Sequence, residues 1–396
     1  MYVARSLTFL SILLSACASL LGQDLQTMQR MLDGNLRPDA EVSVFEHSER
    51  LYPSAIVKGS HVTVPLAAGH PLPLDIKFRS GAREYDLVDY LAQNRVAGIL
   101  VLKNNKVAFE DYELGAQPSS RWPSFSIAKS VTSTLVGIAI QQGFIHSLDD
   151  LATRYLPSLA GTAYADVTIR NLLQMASGVR WDETYTDPNS DCRRLLNSQM
   201  TGRPGASIEF MRSLKKAGAP GSIWNYNSGE INLVGAIVEK ATGKPLAAYL
   251  SETLWTQLGM EQDATWWQET ANGMGLGGVG IGATLRDYGR FGDFVANDGV
   301  LNGKRFVPAG WFAEAGSAHR IGNKTVEYGY LWWPVVSVDP IHAGAFQALG
   351  IFGQHIYINP VEHLVIVVLS ARPKPTGSPV LDDLSFFASV ARALRG

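Results

Sequence analysis

Two apolar hairpins at opposite ends of this chain constrain its fold more than any other feature. Near the start, Gly98–Lys103 and Lys106–Tyr112 are apolar runs separated by Asn104-Asn105, a turn pair that tolerates positive φ. Near the end, Gln354–Ile358 and Leu364–Leu369 flank Asn359-Pro360 in the same manner. Strands joined by such short turns run antiparallel, because parallel neighbours need a long crossover connection. Helices are expected at Asp86–Gln93 and from Leu381 to Leu394, and a helix-rich stretch of roughly 126–249 lies between the hairpins. The fold class is therefore α/β of the α+β type. One antiparallel sheet is built from N- and C-terminal strands, flanked by helices, with an inserted mostly helical lobe at about 140–280.

Upstream, residues 1–22 have the pattern of a signal peptide: Arg5 is followed by Leu7–Leu21 without a charged residue. That run is shorter than the ~20 residues a spanning helix needs. Leu14-Ser15-Ala16-Cys17 resembles a bacterial lipobox, in which the cysteine is acylated; ordinary cleavage around Ala16 to Ala18 is the alternative. Both readings export the chain, as a periplasmic protein or one held at the membrane only through lipidated Cys17. Residues 23–84 carry five prolines and a short predicted helix near Leu25–Leu32, and read as a leader wrapping the domain of 85–396.

Composition removes several function classes. With 34 basic and 36 acidic residues the net charge is -2, so no excess of cations is available for phosphates and nucleic acid is not an expected partner. Cys17 and Cys192 are the two cysteines, which excludes a disulfide framework and a Cys-rich metal site. The eight histidines show no H-E-x-x-H or similar spacing, and no phosphate-cradling glycine loop or G-x-S-x-G elbow exists. No metal and no cofactor are expected. No feature fixes an oligomeric state.

The chemistry resides in Ser126-Ile127-Ala128-Lys129, which opens a helix whose apolar residues Ile127, Val131, Leu135 and Ile138 recur at helical spacing. Gly143 is placed to end it. Residues three apart share one helical face, so the hydroxyl and the amine meet. A serine nucleophile needs a base, and a desolvated lysine near a helix N-terminus is able to serve. Ser213-Leu214-Lys215-Lys216 matches the same pattern but sits in a polar, glycine-flanked context and reads as a surface turn. Tyr226-Asn227-Ser228 supplies a tyrosine that, beside a lysine ammonium, can act as general base and then return the proton. Tyr52-Pro53-Ser54 fits the triplet equally, so order along the chain carries the signal. The glycine run Gly275–Gly282 reads as a close-packed loop bordering the site.

That order resembles the class C β-lactamase-like serine hydrolases, a family that takes in penicillin-binding DD-peptidases, esterases and nylon-oligomer hydrolases. The resemblance runs from about Tyr85 to the C-terminus, through SFSIAKS at Ser124–Ser130, VTIRNLLQMASGV at Val167–Val179 and WNYNSGEINLVGAIVEKATGK at Trp224–Lys244. Asp182–Pro188 and Gly350–Pro360 look most like the nylon-oligomer (6-aminohexanoate-dimer) hydrolase branch. The resemblance implies an acyl-enzyme on Ser126, activated by Lys129, with Tyr226 as proton shuttle. It implies an oxyanion hole from the backbone N–H groups of Ser126 and Gln354, and substrate contacts at Tyr185, Ser228, Phe352 and Gly353. His355, close to the third motif, is a further candidate for lining the pocket, with a structural strand residue as the other reading. Tyr185 would touch the leaving amine; a loop aromatic packed on Trp181 is the other reading.

Two departures bear on substrate. Ile351-Phe352-Gly353 stands where β-lactamases and DD-peptidases carry K-T-G, so the cation for a substrate carboxylate is missing. Leu196 falls where the nylon-oligomer enzymes carry an acidic residue. The expectation is an exported serine hydrolase of a small neutral or lipophilic ester or amide. The alternatives are a DD-peptidase or β-lactamase, or a catalytically silent envelope-binding protein of the same fold.

Overall fold

A computed structural model of the chain describes residues 25–60, 62 and 65–395. The targeting segment and Cys17 lie outside the described residues. The chain enters on a helix at 25–32, followed by the helix Pro38–Glu46.

Both hairpins enter one seven-stranded sheet. Its order is Trp333–Pro334, Phe346–Gly350, Gln354–Asn359, Leu364–Ser370, Val96–Lys103, Lys106–Tyr112 and Ala67–Ala68. Every pair is antiparallel except the short Ala67–Ala68 edge. Asn104 and Asn105 make the first turn with φ of 52° and 63°, both left-handed as a tight hairpin demands. The ends of the chain meet where Val367 pairs with Leu100 and Val368 with Ile99.

Strand alternation divides the core. Leu100, Leu102, Ile356, Ile358, Val365 and Val367 face one cluster, toward the helix Leu285–Ala296. Ile99, Val101, Tyr357, Ile366 and Val368 face the other, under the helix Asp383–Ala393. Buried on both faces, these strands read as continuous apolar runs. Gly289 and Gly292 let the first helix lie close, since a Cβ there would meet Leu100 and Val365 at 2.4 and 2.6 Å.

A smaller sheet orders Ser54–Val57, Ala264–Trp267, Ile281–Ala283 and Trp122–Pro123. The last of these delivers the chain to the helix Ile127–Gln141, which is buried along nearly its whole length and packs on the helix Ser228–Thr242. Gly143 turns left-handed (φ 80°) just past the first helix, as its position predicts. Asn227 caps the second by accepting the Glu230 N–H.

Candidate active site

Ser126 stands at the N-cap position of Ile127–Gln141, and Lys129 one turn on is buried at 2% exposure. Lys129 Nζ donates to Ser126 Oγ at 2.7 Å and to the Gly278 carbonyl at 3.0 Å. The Gly275–Gly282 loop thus borders the site. Gly278 has to be small, because a Cβ would come within 2.9 Å of the Ser228 carbonyl. Lys129 Nζ also lies 5.2 Å from the centre of the Tyr226 ring. Tyr226 stacks on Trp333 at 5.8 Å and meets Tyr328 edge-on at 6.0 Å. Sequence positions 126, 129 and 226 are therefore one cluster. The other S-x-x-K is elsewhere: Ser213 is exposed, and Lys216 pairs with Asp166 at the surface.

Phe125 and Phe352 bracket the site with left-handed backbones, φ 43° and 63°, and their rings touch at 5.2 Å. Strain of this kind is held only where packing over-determines it. Here it turns the chain sharply just before Ser126 and just before Gln354. Gly350 Cα approaches the Ser124 backbone so closely that a Cβ would sit 2.5 Å from that carbonyl oxygen. The Gln354 side chain is spent within the sheet, donating to Ser370 O at 2.8 Å and accepting from Ser370 N at 3.0 Å. Only its backbone is left to serve a substrate.

Ser126 and Lys129 open into a cavity of about 100 Å³. Its lining includes Trp181, Tyr185, Leu196, Ser228 and Ile351, and Lys129 is the sole charged residue among the described lining. The two positions singled out for missing charges, Leu196 and Ile351, both face this space. Burial, reinforced by the Glu183 carboxylate, raises Tyr185 well above the ordinary tyrosine range, so it acts as a neutral phenol. Burial likewise raises the Cys192 thiol and keeps it protonated.

Three expected substrate contacts, Phe352, Gly353 and His355, are not among the residues that line this cavity. Phe352 is 1% exposed in the core, against Phe45 and Phe125. Gly353 packs on Arg372, whose Nε would stand 2.2 Å from a Cβ there. His355 points through the sheet, with Nε2 3.3 Å from Asp383 and its ring on Phe387. The reason is strand parity: His355 and Tyr357 share the face opposite Ile356 and Ile358. Ile351 takes the pocket position instead.

Sequence reasoning passed over Glu183. It accepts the Trp181 indole N–H at 2.5 Å, the Ser228 N–H at 3.0 Å and the Ser228 hydroxyl. A carboxylate between Trp181 and Tyr185 was the available signal.

The beta-lactamase family profile matches residues 86–385. The chain is 30% identical over 305 residues to 6-aminohexanoate-dimer hydrolase of Paenarthrobacter ureafaciens, covering 73% of this chain and 76% of that one. It is 30% identical over 212 residues to esterase EstB of Burkholderia gladioli, covering 49% and 51%. A Bacillus anthracis structure that carries the 6-aminohexanoate-dimer hydrolase name superposes with a TM-score of 0.75 at 23% identity, over 89% of this chain and 92% of that one, which shows a common fold.

Proposed function

This chain belongs to the beta-lactamase family and is a serine hydrolase, and on that premise we propose that it cleaves a neutral, apolar ester or amide through an acyl-enzyme on Ser126. One observation carries the reading: Lys129 Nζ, buried, lies 2.7 Å from Ser126 Oγ at the floor of an apolar cavity. The Ser126 proton passes to the Lys129–Tyr226 pair as Oγ attacks the carbonyl carbon. The backbone N–H groups of Ser126 and Gln354 receive the developing oxyanion; such a donor is worth ~10²–10³ in rate. Tyr226 returns the proton to the departing alcohol or amine, and water then releases the acyl group from Ser126 by the reverse sequence.

The substrate class follows from the lining. A β-lactam or cell-wall peptide carries a carboxylate, and among the described residues the cavity offers no cation beyond Lys129, which is engaged by Ser126 and Gly278. The ammonium end of an aminohexanoate oligomer finds Leu196 rather than an acid. Uncharged substrates leave neither gap.

A fluorophosphonate probe tests the nucleophile by intact mass. Ser126 takes one adduct; a probe that still labels Ser126→Ala, or no adduct on the parent, rejects the assignment. Lys129→Ala lowers p-nitrophenyl ester turnover by ~10³ or more if it activates Ser126. Nitrocefin turnover matching ester turnover would favour the β-lactamase reading, and inertness toward every ester and amide would favour a silent binding protein. Export, with acylation of Cys17, belongs to the same proposal. It rests on the apolar run Leu7–Leu21 and is tested by palmitate labelling that Cys17→Ala abolishes.

A further inference from the structure

Building on the acyl-enzyme reading, we propose that the leader helix at 25–32 is a wall of the substrate pocket and sets the size of the acyl group that reaches Ser126. Met28, Met31 and Leu32, at 5%, 1% and 6% exposure, line the same cavity as Ser126 and Lys129. Their i, i+3, i+4 spacing is one face of a helix. The family match begins at residue 86, so this wall comes from outside the matched domain.

The adjoining wall is the helix Asp191–Gln199, which turns Cys192, Leu195, Leu196 and Gln199 to the cavity. Three contacts tie the leader to it. Gln29 Nε2 donates to Asn197 Oδ1 at 3.2 Å, Tyr52 OH donates to Gln199 Oε1 at 3.1 Å, and Arg193 Nη1 meets Asp33 at 2.5 Å. The same Arg193 nitrogen donates to the Tyr185 carbonyl at 2.9 Å, so one guanidinium holds leader, helix and Tyr185 loop together. The Arg193 side chain is 4% exposed, and undocking the leader would strip a buried charge of its carboxylate, a costly step. The wall is therefore a fixed part of the pocket.

The acyl side of the substrate is the side that enters it. Tyr226, which returns the proton to the leaving group, is outside the cavity lining and lies toward Trp333 and Tyr328. With the leaving group departing there, Tyr185, which lines the cavity, stands on the acyl side rather than against the leaving amine, and the acyl chain occupies the space under Met28. Each methylene buried there raises kcat/KM about fourfold until the space is full.

The test is kcat/KM on p-nitrophenyl acetate, butyrate, hexanoate, octanoate and decanoate for the full chain, Met28→Trp and Met28→Ala. Met28→Trp moves the optimum to a shorter acyl chain and lowers the longer-to-acetate ratio by about fifteenfold, two methylenes' worth. Met28→Ala moves it to a longer one. A ratio measured on one preparation is independent of the folded fraction, so either variant alone decides. An unchanged optimum, or a parallel fall on all five esters, overturns the leader's role while leaving the hydrolase reading intact. A parent inactive on all five and on the matching p-nitroanilides overturns both.

Discussion

Glu183 takes both the backbone N–H and the hydroxyl of Ser228, forty-five residues further along the chain. Ser228 opens the helix Ser228–Thr242 two residues after Tyr226, so this carboxylate anchors the segment that presents the phenol to Lys129. A charge-assisted hydrogen bond of this kind contributes ~1.5–3 kcal/mol. Glu183→Gln keeps the shape and removes the charge. Its kcat on p-nitrophenyl acetate should fall about tenfold or more. Unaltered turnover would mean that Tyr226 is held by its aromatic neighbours alone.

Gly350→Ala should damage catalysis more than folding. The added Cβ would meet the Ser124 carbonyl at 2.5 Å and the Gln354 Cβ at 2.9 Å. Relief requires moving the Gly350–Gln354 turn away from the strand that leads into Ser126. Under the proposed mechanism the Gln354 N–H is an oxyanion donor, and misplacing it costs ~10²–10³ in kcat. Steady-state turnover alongside circular dichroism separates this outcome from simple misfolding.

Glu230 gives the protein a pH dependence of known sign. Complete burial raises its carboxyl from 4.5 to about 8, despite hydrogen bonds from Ser177 and Tyr164 that pull it down. Its other oxygen has no partner among the described residues. A folded-state value above the unfolded one means that the native protein holds the proton more tightly. Glu230's contribution is thus full below the unfolded value of 4.5 and is lost as pH rises through about 8. Urea unfolding across that window should lose midpoint in the parent, and the slope should flatten in Glu230→Gln.

Asp383 works in the opposite sense. Burial alone would raise its carboxyl, but His355 and Arg372 overcome that and hold it well below the carboxylate range. Tyr90 and Asn94 also donate to it, at 2.7 and 3.1 Å. Its stabilisation is present above the unfolded value of 3.8 and is lost as pH falls toward the depressed folded value. Asp383→Asn leaves the guanidinium of Arg372 without its carboxylate, a loss of ~3–5 kcal/mol measurable by denaturant unfolding at neutral pH. Ester selectivity should not change, because this network lies across the sheet from the cavity.

The legible part of the site was the part encoded locally. Ser126 and Lys129 are three residues apart on one helix, and helical geometry alone puts their side chains together. The hairpins were legible for a related reason: Asn104-Asn105 and the flanking apolar runs specify a turn and a direction without reference to the rest of the chain. The placement of His355 is local in origin too, since strand parity beside Ile356 assigns it to the far face.

The sequence by itself determined the antiparallel hairpins, the helix that Ser126 opens and the Ser126–Lys129 pair, because each depends on backbone periodicity over a few residues. Only the tertiary structure decided what surrounds that pair. The Glu183–Ser228 anchor, the Asp33–Arg193 tie and the Met28 wall join segments 45 to 160 residues apart in sequence or bring a leader helix onto a distant cavity. Such contacts are set by how whole faces of helices and sheets bury one another, and no local pattern carries that information.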